Sequence, residues 1–378
     1  MGTTSRHQPH GNRILGLSCA ATIAVITLLS ACAAPTPSPI VTHHPPAHAT
    51  GQSQPQPATP PQLLGGDCTG LASLSVIQAG VGSTAVAAAP AESSGEPPTG
   101  SLEWIAARQA GALFCGWADP TEAHNLNVQI IPNASAAFTA DTTALNAASD
   151  ATGAHHVSGV PTYGDASWSQ CEGETESPDG TCEFDIKVGS YWLSVNEQNT
   201  AHLQPYPESA AEKTMLNDLV NSARALPAFR VWAPSTRTPS LPTTCDGALP
   251  LATVRTATGN GSEAASPDGF TIDDVPWILT HSLSCTWSSP TGVDLFFTIV
   301  PGSAWGDAPT PTVSGTTTQP GLGAQASGGC VSSDGQDACD LLVRSGNTWF
   351  ELTDNGTGSS MTLAPLRSLA HSVLTLIG

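Results

Sequence analysis

The chain reads as an α+β protein: two tandem homologous domains, each a disulfide-bonded antiparallel sheet covered by helices, set behind a leader and a Pro-rich disordered linker. Three observations predict this. A four-cysteine frame occurs twice, first as Cys68, Cys115, Cys171 and Cys182, then as Cys245, Cys285, Cys330 and Cys339. Tryptophans keep the same places in both copies: Trp117 and Trp287 follow the second cysteine by two positions, Trp192 and Trp349 follow the fourth by ten. Each copy ends in an amphipathic helical pattern. A period this long, met only twice, means paired domains rather than a solenoid.

The leader comes first. Residues 1–13 are polar and carry Arg6 and Arg13, while Ile14 to Ala31 is apolar and uncharged. That layout is a secretory signal. It closes on Leu29-Ser30-Ala31-Cys32, which resembles the lipobox of bacterial lipoproteins. The resemblance implies cleavage over residues 1–31 and a diacylglyceryl group on the Cys32 thiol. The small Ser30 and Ala31 suit a peptidase that needs a narrow chain beside the cut. Two other readings stay open. Ile14–Ala34 is long enough to span a bilayer uncut as a signal anchor, and an ordinary signal peptidase acting nearby would release a soluble protein. All three send the rest of the chain out of the cytoplasm, because the positive charge stays inside.

Residues 32–62 form the lipidated cysteine and its tether. Nine prolines, almost no charge and few large apolar groups leave this stretch nothing to bury. Fully extended at ~3 Å per residue, it lifts the first domain on the order of 90 Å from the membrane. His43, His44 and His48 lie in it as polar filler, since nothing fixes their geometry for a metal.

The first domain is assigned to residues 63–233, the linker to 234–243 and the second domain to 244–378. Leu113-Phe114-Cys115-Gly116-Trp117 matches Leu283-Ser284-Cys285-Thr286-Trp287, and Val128 to Pro132 matches Phe297 to Pro301. Side chains two apart on a strand share a face, so each second cysteine points the same way as its tryptophan. Phe184, Ile186 and Val188 alternate with Glu183, Asp185 and Lys187, the pattern of a strand with one apolar and one polar face. Gly189-Ser190 turns it into a returning strand from Trp192, and Gly346-Asn347 does the same in the second copy. Ser209-Ala210-Ala211-Glu212 is a capping box, followed by an apolar stripe of Met215, Leu216, Leu219, Val220, Ala223 and Leu226 that Pro227 ends. Pro365 suits a first helical turn, and Leu366, Leu369, Ala370, Val373 and Ile377 form the second stripe. Such helices cover the sheets.

An even set of eight cysteines in an oxidising compartment implies disulfides. Four per domain allow three pairings. The short loops favour Cys171–Cys182 and Cys330–Cys339, which leaves Cys68–Cys115 and Cys245–Cys285. The spacings lack a Cys-x-x-Cys pair and do not suit zinc.

Charge narrows the partners. With Arg6 and Arg13 in the leader, the rest of the chain carries 9 basic and 31 acidic residues. That surface repels nucleic acid and anionic headgroups. The excess of Arg over Lys resembles secreted proteins of GC-rich bacteria such as actinobacteria.

The early cysteine, the Cys-x-Trp strand, the late cysteine pair and the closing helix look like a family of actinobacterial lipoproteins of unknown function. Each half is similar to the extracytoplasmic sensor domain of mycobacterial receptor Ser/Thr kinases. That resemblance implies a disulfide-linked sheet with helices and a ligand-binding cleft. The first copy departs from it by a long Ala/Thr/Gly insert between Phe138 and Cys171, and no kinase segment is present. No ligand residue carries over.

Catalytic patterns are missing from the sequence. There is no Gly-x-Ser-x-Gly or Ser-x-x-Lys, and His124, His155, His156, His202, His281 and His371 stand at no recognisable spacing. Glu172, Glu174, Glu176 and Asp179, with Asp334 and Asp337 in the second copy, offer oxygens for Ca²⁺ but lack the order of a calcium loop. The expectation is a lipid-anchored protein on the extracytoplasmic face of the cell membrane, not an enzyme, with no cofactor and no metal. Its partners are the bilayer and an unknown small-molecule, polymer or protein ligand, bound in a sensing role. A structural or assembly factor of the envelope is the alternative, and a secreted hydrolase the third.

Overall fold

A computed structural model describes residues 59–378 except 89–96, 98–99, 121–123, 153–161, 173–179, 200–208, 235–238, 259–262, 266–271, 289–293, 306–307, 312, 334–335 and 358–361. The leader, Cys32 and the tether up to residue 58 lie outside the described residues, as do His155, His156, His202, Glu174, Glu176, Asp179 and Asp334.

The first half runs α1 (Leu74–Gly80), β1 (Ala87–Ala88), α2 (Leu102–Ala110), β2 (Leu113–Ala118), β3 (His124–Ile131), α3 (Ser135–Thr152), β4 (Ala166–Glu172), β5 (Gly180–Val188), β6 (Tyr191–Asn199) and α4 (Ala210–Ala225). The second runs α5 (Cys245–Ala248), α6 (Leu251–Thr258), β7 (Glu263–Ala265), α7 (Val275–Leu279), β8 (Leu283–Ser288), β9 (Asp294–Val300), β10 (Thr317–Thr318), β11 (Gln325–Ser333), β12 (Gln336–Ser345), β13 (Thr348–Thr357) and α8 (Ala364–Ile377). The fold is α+β. The first sheet has the order β1-β2-β3-β6-β5-β4, and the second β7-β8-β9-β13-β12-β11-β10. Every pairing is antiparallel. Apart from the added edge strand β10, the two sheets share one topology.

Local chemistry explains the elements. The β5–β6 turn passes through Gly189 at φ 60 and the β12–β13 turn through Gly346 at φ 58, the left-handed region that a tight hairpin turn requires. Ser209 and Glu212 form both bonds of the capping box at the start of α4. Ser101 accepts from the Trp104 N–H and starts α2, while Gly111 ends it at φ 83. A Cβ on Gly111 would also sit 2.1 Å from the Phe229 ring, so a side chain fits neither the backbone nor the space there.

Each sheet buries one apolar face under its own helices. In the first half, Phe184, Ile186, Val128 and Leu193 pack against Ile77 of α1 and Met215 and Leu219 of α4. In the second, Phe297, Leu341 and Phe350 pack against Val254 of α6 and Leu366 and Leu369 of α8. Three bridges are formed as the spacing favours: Cys68–Cys115, Cys245–Cys285 and Cys330–Cys339. Cys182 is disulfide-bonded as well, and Cys171 stands opposite it in register. Sequence separations of 47 and 40 close long loops, against 9 for Cys330–Cys339. On the chain-entropy account the long loops contribute about 4 kcal/mol each and the short one about 2.5 kcal/mol.

The other faces are not solvated, and here the structure departs from the alternation in the sequence. Leu102, Ile105 and Ala106 of α2 cross to the second sheet and pack on Val300, Leu342 and Trp349. Ile272, in the turn before α7, and Val275, its first residue, reach back to Ile131 and Trp192 of the first sheet, where Phe138 of α3 joins them. Helices α2 and α7 touch each other between the sheets. Asp185 therefore sits in a covered layer, 3% exposed, instead of on a wet face. Residues 54–378 form one compact unit. Among the described residues no helix is long and apolar enough to cross a membrane.

Candidate functional site

A cavity of about 930 Å³ opens where the connecting segment between the halves passes the corner from α7 into β8. The connection supplies Val231, Trp232, Pro234 and Leu241, and the corner supplies Trp277, Ile278, Thr280, His281 and Ser282. Two anchors fix the segment. The Trp232 N–H donates to the Gln109 carbonyl at 3.3 Å, and the Gln109 Nε2 donates to the Pro301 carbonyl at 3.4 Å. Gln109 closes α2, so a first-half helix props open a cavity otherwise walled by the connection and the second half.

The lining sets apolar walls against a substantial polar share, with Gln109, Ser240 and Thr243 joining the polar side chains of the α7–β8 corner, a mixture that small-molecule sites use. Trp232 and Trp277 are buried, while Ile278 is 51% exposed, a large apolar side chain turned toward the opening. Behind Trp232 stands an aromatic stack. Its ring meets Trp305 edge-on at 6.3 Å, Trp305 meets Trp104 at 6.1 Å, and the Arg108 guanidinium lies 5.1 Å from the Trp104 centroid. The polar wall centres on the corner. Thr280 and Ser282 share a 2.7 Å hydroxyl contact, Asp274 adds a carboxylate, and His281 adds an imidazole on a backbone at φ 54. Such a wall orients a ligand by hydrogen bonds while the indoles supply contact area.

Asp274 also belongs to an acidic layer between the halves. Burial pushes the Asp141 carboxyl up to about 7, with Glu183 and Asp274 adding repulsion. Burial likewise raises Asp185, although the Trp192 Nε1–H donates to its Oδ1 at 2.7 Å. Burial raises Asp273 too, with Asp274 repelling it and a Gln129 side-chain bond opposing the shift. Glu103 is raised to about 7 by desolvation and by Asp273 and Asp274, but it is solvent-exposed on α2 and water screens it. Among the described residues no three His, Cys, Asp or Glu side chains gather in a metal-holding group.

Each sheet also carries one matching transverse row on its apolar face. The first reads Trp117, Leu126, Glu197, Cys182, Cys171 across five strands, and the second Trp287, Leu295, Asp354, Cys339, Cys330. The cysteines and tryptophans of this row are visible in the spacing. The carboxylates carry no such signal, although each stands five positions after the second hairpin tryptophan, Trp192 and Trp349.

Of the singled-out histidines among the described residues, His124, His281 and His371, only His281 lines the cavity. His124 is on β3 and His371 on α8, so the structure does not bring the three together. Of the acidic positions that offer oxygens for calcium, Glu172 and Asp337 lie on strands β4 and β12. Apart from His281, the cavity residues carry no functional signal in the sequence, because they come from a linker and a helix of one turn. No family model matches the chain, and neither a curated protein nor a solved structure matches it.

Proposed function

We propose that this chain is a lipid-anchored extracytoplasmic protein that binds a small molecule in the cavity beside Trp232 and Trp277, in a sensing rather than catalytic role. In this reading Cys32 carries the diacylglyceryl anchor, residues 32–62 are the tether, and residues 63–233 and 244–378 are duplicated domains joined by 234–243. The cavity carries the proposal: about 930 Å³ lies at the upper end of the usual range for ligand pockets. The shared strand order and the repeated disulfide frame support duplication, and the bridges support an oxidising compartment. An envelope assembly factor would present a broad exposed apolar patch. The exposed large apolar side chains among the described residues, Leu64, Leu74, Ile278, Phe296 and Leu376, come from five different elements, which favours the binder.

Two measurements test it. Cells expressing the chain and fed radiolabelled palmitate are expected to label it, and the Cys32→Ala variant is expected to lose the label and the membrane-fraction signal together. Native mass spectrometry of residues 63–378 from an oxidising host is expected to retain a non-covalent mass that the Ile278→Asp variant loses. An unlabelled wild-type chain removes the anchor. A retained mass that is indifferent to Ile278 moves the ligand out of this cavity.

A further inference from the structure

Three bridges are described, and one differs from the others in construction. Cys68–Cys115 and Cys245–Cys285 tie the chain that enters each half to a central strand, close long loops, and keep Cys115, Cys245 and Cys285 buried. Cys330–Cys339 joins β11 and β12, which their ladder already holds together, at residues in direct register with Cα atoms 4.1 Å apart. Its loop is short, so it restrains the unfolded chain least. Its two sulfurs live in different surroundings: Cys330 is exposed, while Cys339 is 0% exposed.

Asp354 flanks Cys339 on the side of β12 away from Cys330. It faces Cys339 across the β12–β13 ladder, so the two side chains project from one face as direct cross-strand neighbours. Asp354 is 6% exposed, and its Oδ1 has no hydrogen-bond partner among the described residues. On its far side lie Leu295 and then Trp287, whose Nε1–H is equally unmet. A buried carboxyl oxygen left without a partner costs free energy unless it serves something. Burial raises this carboxyl to about 6, so near that pH a large share of molecules hold its proton.

We propose that Cys330–Cys339 is a thiol–disulfide exchange site, at which a small dithiol attacks the exposed Cys330 sulfur and Asp354 protonates the departing Cys339. The thiolate of the dithiol bonds to the Cys330 Sγ as the Cys330–Cys339 bond breaks. The bonding pair leaves on the Cys339 Sγ, which takes the Asp354 proton and becomes a thiol. The second thiol of the reagent then attacks its own sulfur in the mixed disulfide. That step releases Cys330, which is protonated from water, and closes the reagent into a disulfide. The dithiol loses two electrons and two protons, and the protein gains both once Asp354 is reprotonated from solvent. Attack in the opposite sense is blocked, because the Cys339 sulfur is covered. In the reverse direction the Asp354 carboxylate accepts the Cys339 proton and turns that thiol back into a nucleophile. The β11–β12 ladder and the Cys245–Cys285 bridge keep the opened form folded.

The test uses the full chain in detergent, from an oxidising host, treated with dithiothreitol at pH 6, quenched, alkylated and mapped by peptide mass. Cys330 and Cys339 are expected to be labelled well before Cys68, Cys115, Cys245 and Cys285. A monothiol such as 2-mercaptoethanol is expected to leave its adduct on Cys330. Asp354→Asn is expected to slow the opening by roughly tenfold or more, and Asp354→Glu, which places here the residue type of Glu197, is expected to keep it. The proposal is overturned by three results: this bridge opening no earlier than the long-loop pairs, the adduct landing on Cys339, or Asp354→Asn opening as fast as the wild type or faster.

Discussion

Replacing Trp192 with alanine is expected to remove more than ~4 kcal/mol of folding free energy, enough to leave the chain largely unfolded at 37 °C. Two losses combine. Trp192 is 1% exposed, and its ring meets Phe138 edge-on at 5.6 Å, so truncation opens a large cavity in the layer between the sheets. Aromatic-to-alanine changes in cores cost about 3–5 kcal/mol. The indole also donates to Asp185 at 2.7 Å, and Asp185 is itself buried. Stripping a buried acceptor of its donor costs about 1–3 kcal/mol more. The second sheet supplies the control. Trp349 holds the matching place and packs on Val300 and Leu342, where Leu342 stands at the position that Asp185 takes in the first sheet. Trp349→Ala should therefore cost only the cavity, about 3–5 kcal/mol. Trp192→Phe should cost chiefly the hydrogen bond, about 1–3 kcal/mol. Urea titrations followed by far-ultraviolet circular dichroism check all three. Equal losses for Trp192→Ala and Trp349→Ala would mean that the bond to Asp185 contributes nothing.

That contrast marks where the sequence stops being legible. The β5–β6 hairpin reads directly, because Phe184, Ile186 and Val188 alternate with polar residues and Gly189 supplies the turn. Helix α4 reads directly, because its capping box and apolar stripe are local. Helix α3 does not. Its Ala- and Thr-rich run offers Phe138 as its one aromatic anchor, and it holds its place by packing on Trp192 from a distant strand. Helix α7 has five residues, too few for a 3.6-residue period to register. The exchange of α2 onto the second sheet is a long-range contact that no window of sequence contains. For the same reason Asp185 reads as a solvent-facing residue: the alternation fixes which face it shares with Glu183 and Lys187, but not what comes to cover that face. The cysteine frame showed the transverse rows in outline, and the carboxylates within them appeared only when register put Glu197 opposite Cys182 and Asp354 opposite Cys339.

The covered acids make stability depend on pH in an unusual direction. Asp141 and Asp185 are each 3% exposed and repel each other, and burial holds both well above the ordinary carboxylate range. The remaining charged groups that act on them, Glu183, Asp273 and Asp274, are acidic too. In the unfolded chain such groups ionise near pH 4, whereas in the folded protein they keep their protons to about 7. Between those values the folded state binds more protons, so the unfolding free energy falls as pH rises, and above about 7 the loss is complete. Asp67 and Asp165, whose carboxyls are lowered by backbone hydrogen bonds, act in the opposite sense below pH 4, but both are fully exposed and add little. The chain is therefore expected to be most stable near pH 4 and to lose roughly 3–5 kcal/mol between pH 5 and pH 8. Urea midpoints measured across that range read the effect. Asp141→Asn combined with Asp185→Asn keeps the shape and the Trp192 acceptor while removing these two groups, so its midpoint should fall much less from pH 5 to 8 than that of the wild type, the remainder coming from the raised Asp354 and Asp273 carboxyls. A wild-type midpoint that rises over this range would require a cation or a basic side chain to hold these carboxylates in their charged form, and the layer between the sheets would then be an ion pair network instead of a protonated one.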